Sequence, residues 1–314
     1  MSTFDVIIPF YNTNIEYTRT ALQSVVAQTY AHWKAYVIND GSTDSSTRAL
    51  ESLLTELNDA RIVYLRQNNA GVAAARNNGI LASSSPYVAL LDSDDVWHSH
   101  KLETQVAIFE KHPDVGAVYA PTDRLRDGKL IPYRPGTFRS LVGLDPYALF
   151  VRMLKNNVVP NITTAVRRVY LDRAGLYDGQ FNGTEDKELC LRLLLHGCRF
   201  HYVDEALAIY RVHAASISRN GERMWQDRLR IVKKLDDMIR FAPREWPPIN
   251  WPRYRTKMIR HAYIEAGEEA LDQGNYSKAI AYSLPHTGGV SSKTGLLIIR
   301  SLYRIGRSAV GAER

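Results

Sequence analysis

The chain has 314 residues, 45% of them hydrophobic, enough for a large buried core, and carries a net charge of +7. That charge is not a general basic coat: residues 1–222 hold 23 Lys+Arg against 24 Asp+Glu, whereas 223–314 hold 17 against 9, so the excess sits in the last third and nucleic-acid binding is not indicated. Cys190 and Cys198 are too few for a disulfide framework or a zinc site, no signal-peptide pattern follows Met1, and no apolar run approaches the ~18 residues of a membrane span, so a cytoplasmic protein is expected.

The first half alternates short β-branched runs with helical patterns. Strands are expected at Asp5–Pro9, Ala35–Asn39, Arg61–Arg66 and Tyr87–Asp92, each followed by a helical stretch: to Gln28, over Ser45–Leu57, over Val72–Ala82 and over His100–His112. Such alternation implies an α/β fold, a mostly parallel sheet with helices on both faces, which binds ligands at the carboxyl ends of its strands. Gly116–Pro121 reads as a further strand, and 120–160 as a variable loop region rich in Arg, Gly and Pro. Then come a short helix at Arg168–Gly175, a firm one at Glu185–His196 stopped by Gly197, and strands at Phe200–Val203 and Ala208–Val212. A helix over 222–242 precedes Pro243, Pro247, Pro248 and Pro252, which set the expected boundary between a domain at 1–242 and a basic, mostly helical region at 243–314. Within the latter, Arg253–Gln273 and Tyr276–Ser283 resemble a helical hairpin, and Thr294–Val310 a basic amphipathic helix.

Polar residues stand at four successive strand ends: Tyr11 and Asn12, Asp40, Asn68 and Asn69, and Asp92 to Asp95. One sheet edge brings them to one ligand. Pro9-Phe10-Tyr11-Asn12 occupies the first turn without the glycines of a dinucleotide or Walker loop, which disfavours a classical NAD or ATP site. Asp92-Ser93-Asp94 suits a hard divalent cation bridging two phosphates, or is a capped, solvated turn. Asp40 either accepts the imide N–H of a pyrimidine base or belongs to a plain turn. Arg76, a lone guanidinium on an alanine-rich helix, could grip phosphate or sit in a surface ion pair. Asp186 follows Glu185 in a first helical turn, where acids are favoured by the macrodipole alone; pointing into the same cleft, it would be a general base. His213 is a candidate metal or phosphate ligand, or a structural histidine.

Seven segments in this order, VIIPFYN (6–12), SVVAQTY (24–30), NDGSTDSS (39–46), NNAGVAAARNNG (68–79), LLDSDDVW (90–97), GTEDKELCLRLLLHG (183–197) and YRVHAASIS (210–218), resemble glycosyltransferase family 2, the inverting enzymes of GT-A fold. The resemblance covers roughly residues 4–220. It implies that Pro9, Tyr11 and Asp40 form the base pocket, with Asn12, Asn69, Gly71 and Ser93 also on the nucleotide. Arg76 becomes a donor contact, Asp92 lies near ribose and metal, Asp94 is the main metal ligand, His213 touches metal or diphosphate, and Asp186 is the catalytic base. The implied cofactor is Mn2+ or Mg2+, the donor a nucleotide-sugar, most simply a UDP-sugar, and the acceptor a glycan or lipid-linked hydroxyl in cell-surface polysaccharide biosynthesis. Cys190 departs from the aromatic often found at that place, which bears on the acceptor rather than the base.

Two other functions remain open on the sequence: a sugar nucleotidyltransferase, whose glycine-rich loop VIIPFYN lacks, and a nucleotide-sugar-binding protein without catalysis. The basic tail either lies on an anionic membrane, making the protein peripheral on its inner face, or packs as a helical cap or homo-dimer contact.

Overall fold

The computed structural model describes residues 4–181, 183–213 and 221–283. Among them, 4–213 with 241–247 form one compact unit and 221–240 with 248–283 a second.

The first unit is the α/β body expected from the strand-helix alternation. Its main sheet contains β1 (Phe4–Phe10), β2 (Trp33–Asp40), β3 (Ile62–Gln67), β4 (Tyr87–Leu90), β6 (Val115–Tyr119), β9 (Ala165–Arg167) and β10 (Arg199–Tyr202), in the order β10-β6-β9-β4-β1-β2-β3. Six of the seven run parallel; β9 alone lies antiparallel to its neighbours β4 and β6. Every residue of β1 is buried because both faces of the sheet are covered. Phe4, Val6, Ile8 and Phe10 point to one side, into a core with Ala21, Leu22 and Val25 of α1 (Ile15–Val26), Leu50 and Leu53 of α2 (Asp44–Leu57), and Leu102, Val106 and Phe109 of α4 (Lys101–Lys111). Ile7 points to the other, where α3 (Val72–Leu81) lies so close that a Cβ on Gly79 would meet Ile38 Cδ1 at 2.6 Å.

A second, four-stranded sheet was not expected. Its order is β5-β11-β7-β8, with β5 (Val96–Trp97), β7 (Thr122–Arg126), β8 (Lys129–Ile131) and β11 (Ala208–Val212). The stretch 120–160 is therefore not only loop: it supplies β7, β8 and α5 (Pro146–Lys155), whose Asp145 caps it by accepting from the Ala148 amide. Helices α6 (Arg168–Ala174) and α7 (Glu185–Leu195) complete the unit near their expected places.

The second unit is helical: α8 (Gly221–Met238), α9 (Trp251–Asp272) and α10 (Tyr276–Ser283), with Gly274 at φ +74° turning α9 into α10. The units divide the chain differently from the 242/243 boundary, because α8 groups with α9. Arg228 of α8 pairs with Glu265 at 2.8 Å, and Asp236 accepts from the Trp251 indole. The expected helix at Thr294–Val310 lies outside the described residues, and no helix among the described residues is long and apolar enough to cross a membrane.

The end of the main sheet remote from the ligand edge is closed by a buried polar knot. Asp5, 1% exposed, accepts from the Ser85 amide and hydroxyl and from Arg168, which also donates to the Ser85 and Ile80 carbonyls. Removing one member of a buried ion pair strands the other charge. Asp5→Ala is expected to destabilise the α/β unit by about 3 kcal/mol, read as a lower denaturation midpoint followed by the near-ultraviolet signal of its sheet aromatics.

Candidate active site

The loops after β1, β2 and β3 are tied together at the carboxyl edge of the sheet. Asn12, at φ +50°, donates its amide to Ser42 Oγ, and its side-chain oxygen accepts from the Thr43 amide. Gly41, at φ +67°, lets the 68–71 loop come so close that a Cβ there would lie 2.5 Å from the Asn69 nitrogen. Asp40 is 3% exposed, and its carboxylate accepts from Gln67 Nε2 and from the amides of Ala70 and Gly71 at 2.8–2.9 Å, while Asn69 donates to the Asp40 carbonyl.

Of the expected base-pocket residues, Tyr11 is open, 54% exposed, whereas Pro9 is buried within β1. Asp40 holds the 68–71 loop with three of the about four lone-pair sites of a carboxylate. Asn12, Asn69 and Gly71 likewise serve the loop framework in this structure.

Arg76 is buried, which sets aside the surface ion pair. It is 4% exposed and donates Nη1 to Glu185 Oε1 and Nη2 to Asp92 Oδ1, both at 2.6 Å, with Tyr177 against its guanidinium. Burial opposes its charge, but Asp92 and Glu185 outweigh that and raise its pKa well above the ordinary value. Its Nε is buried without an acceptor among the described residues. Burial pushes the Asp92 carboxyl up, Arg76 opposes this, and Asp94 adds to the rise. For Glu185, burial is overcome by Arg76 and by the Gly183 amide, which donates to Oε2, and its carboxyl is held below the usual range.

The Asp92-Ser93-Asp94 turn is anchored from three sides. Ser93 shares a hydrogen bond with Thr13 at 2.8 Å, Arg211 Nε donates to the Asp94 carbonyl, and the Arg211 amide donates to the buried Asp95 carboxylate. β11 therefore clamps the turn and delivers His213 to it. His213 Nε2 lies 2.7 Å from Asp94 Oδ2, with both side chains about a quarter exposed. A carboxylate and an imidazole facing one opening fit a divalent cation that takes its remaining ligands from phosphate and water. Among the described residues no three side chains form a closed metal cage.

Asp186 stands beside Glu185 at the start of α7 and is half-buried. Its Oδ1 accepts from the Lys187 amide, and its Oδ2 from Asn157 Nδ2 at 2.8 Å. Burial, then the charge of Glu185, pushes its carboxyl up to about 6, against the Lys187 amide, Arg76 and Asn157, which favour the anion. Glu185 and Asn157 were not singled out as site residues in the sequence. A first-turn acid has a sufficient explanation in the macrodipole, and Asn157 lies in the segment read as loop.

Several known proteins are similar. The family model described as "Glycosyl transferase family 2" matches residues 5–174, more than half of the chain. "Glycosyltransferase GlyA" of Streptococcus pneumoniae is 29% identical over 71% of this chain, and the "UDP-Glc:alpha-D-GlcNAc-diphosphoundecaprenol beta-1,3-glucosyltransferase WfgD" of Escherichia coli is 30% identical over 70%. The chain spans 32% of the pneumococcal protein, 15% of an uncharacterized glycosyltransferase of Rickettsia bellii and 83% of WfgD. Among solved structures, Staphylococcus aureus TarS 1–349 in complex with UDP-GlcNAc superimposes with a TM-score of 0.65 at 15% identity, covering 98% of this chain and 88% of that one. The mannosyltransferase PcManGT of Pyrobaculum calidifontis, in complex with GDP-Man and Mn2+, gives 0.59 at 16%, covering 98% and 86%. The fold is GT-A.

A carboxyl pushed up in the folded state stabilises the fold below its unfolded pKa, and that contribution is lost as pH rises through about 6. In a carbon-13 NMR titration, Asp186 is expected to titrate near pH 6. Asn157→Ala, which removes a donor to the anion, should move that transition higher; an unmoved transition would show that the bond does not act on the carboxylate.

Proposed function

The chain belongs to glycosyl transferase family 2, and from that membership we propose that it is an inverting transferase moving a sugar from a nucleoside-diphosphate donor, a UDP-sugar in the simplest case, to a hydroxyl of a glycan or lipid-linked acceptor. The observation that carries this reading is the division of labour between the two carboxylates opening α7. Glu185 is neutralised by Arg76, whereas Asp186 accepts from two neutral donors among the described residues, Lys187 N–H and Asn157, and its carboxyl is pushed up to about 6. A general base needs that combination: ionised at pH 7, yet basic enough to take a proton.

In the proposed reaction Asp186 accepts the proton of the acceptor hydroxyl as its oxygen bonds to the anomeric carbon. The bond from that carbon to the diphosphate oxygen breaks on the opposite face, and the configuration inverts. Tyr11 offers its ring to the base, and Asp40 keeps the 68–71 loop in the shape that walls the nucleotide. Arg76 holds Asp92 in place and brings positive charge to the acidic turn. Asp94 and His213, with Asp92 nearby, are the residues that would hold Mn2+ or Mg2+; the cation would supply charge for the departing diphosphate. WfgD is named for a diphosphoundecaprenol acceptor and a UDP-Glc donor, which supports a lipid-linked substrate in surface polysaccharide assembly and a peripheral, cytoplasmic-face placement.

Asp186→Asn should leave UDP-sugar binding by calorimetry unchanged while release of nucleoside diphosphate in the presence of acceptor drops about 10²–10⁴-fold; full activity in that variant would sink the assignment. For the cation, UDP binding should tighten on adding Mn2+, and His213→Ala should lose much of that gain. An identical Mn2+ response in the variant would remove His213 from the metal site.

A further inference from the structure

The hairpin of β7 and β8 opposes like charges. Its register pairs Arg126 with Lys129 and Arg124 with Ile131, so these four side chains share one face, and all four are exposed. Directly opposed cations weaken a hairpin, and the 3.7 Å approach of Asp127 to Arg126 is largely in water, where such a pair contributes little. Arg134 and Arg139 follow, also exposed, in a segment whose other acid, Asp123, is buried and occupied by His98 and the Tyr133 amide. Ile131 shares the face of Arg124, Arg126 and Lys129, while Leu130, paired with Leu125, takes the opposite one; each is 52% exposed, on the free edge strand of the second sheet, so the two line its rim. β7 runs parallel beside β11 with Arg126 opposite Val212, so the hairpin tip adjoins His213 and the mouth of the site.

We propose that this hairpin docks the protein on an anionic phospholipid bilayer, Arg124, Arg126 and Lys129 lying among headgroup phosphates and Leu130 and Ile131 at the acyl boundary. Headgroup phosphate relieves the repulsion that the hairpin leaves uncompensated. The aliphatic pair distinguishes this partner from a soluble phosphate or a nucleic acid, neither of which offers hydrocarbon. Pairing with the same edge of a second copy is opposed by the cations and by Pro132, which has no N–H to extend the strand. The docking is independent of the residues assigned to transfer and of the basic segment beyond residue 283, and it sets the opening beside His213 against a membrane.

The test uses the full chain sedimented with phosphatidylcholine vesicles, with and without phosphatidylglycerol. The wild type should bind the phosphatidylglycerol vesicles and be released by salt. The variant Arg124→Glu/Arg126→Glu/Lys129→Glu should lose on the order of fivefold in partition for each cation removed. Leu130→Ser/Ile131→Ser, which keeps the charge, should bind less tightly and be released at lower salt. Calorimetric UDP binding, retained in both variants, reports that the site is folded and separates this outcome from failure of the transferase reading. Equal sedimentation of the charge-reversed and wild-type chains overturns the proposal, as does indifference of the wild type to phosphatidylglycerol. Displacement from vesicles by a short RNA, or a wild-type dimer in light scattering that the charge reversal dissolves, would also overturn it in favour of those partners.

Discussion

The buried guanidinium of Arg76 is the constraint on which the site depends. It leaves α3, behind the third strand, and bonds at once to the acidic turn after the fourth strand and to the first turn of α7, 109 residues further along the chain. Placing Asp92 and Glu185 in the same low-exposure region without a cation would set two carboxylates against each other; with Arg76 between them each has a charge-assisted bond. The expense of desolvating three charges brings specificity of position. In the proposed reaction the residues for donor and acceptor arrive on different elements, and one side chain fixes the spacing of Asp92 and Glu185.

A second tie runs through β11. Arg211 and His213 reach the same acidic turn from the second sheet, so the turn is gripped from α3, from the loop after β1 and from β11. Carboxylates as closely spaced as Asp92, Asp94 and Asp95 repel, and the burial and mutual repulsion that raise the Asp95 carboxyl well above its ordinary value express that stress. The turn persists because Arg76 and the Arg211 amide each give one of these carboxylates a donor, while Arg211 Nε also holds the Asp94 carbonyl.

The parallel sheet and the strand-end position of Tyr11, Asp40 and Asp92 were legible because β-branched runs alternating with amphipathic helices have few other ways to bury themselves. The second sheet was not: β5 has two residues and β8 three, shorter than any period-2 signal, and β5 exists through pairing with the distant β11. The helix α5 did leave a trace, since Asp145-Pro146 is a cap followed by proline at the first helical position. For Arg76 the residue was evident but its burial was not, because nothing local announces that Glu185 will approach from so far away. Asp40 was read as a ligand contact, and its hydrogen bonds to Gln67, Ala70 and Gly71 show how much of such a residue's work is in shaping its own loop.

The adjacency of Glu185 and Asp186 has a consequence for how this chain can change. Successive residues on a helix are separated by about 100° of rotation, so one carboxylate turns inward to Arg76 and the next turns to Asn157. A slip of α7 by one residue would move both in the same sense, bringing Asp186 to the place of Glu185 and Lys187 to that of Asp186, or Glu185 to the place of Asp186 and Thr184 to that of Glu185, so that either the proton acceptor or the partner of Arg76 is lost. The connection into α7 is thus constrained in length as well as composition.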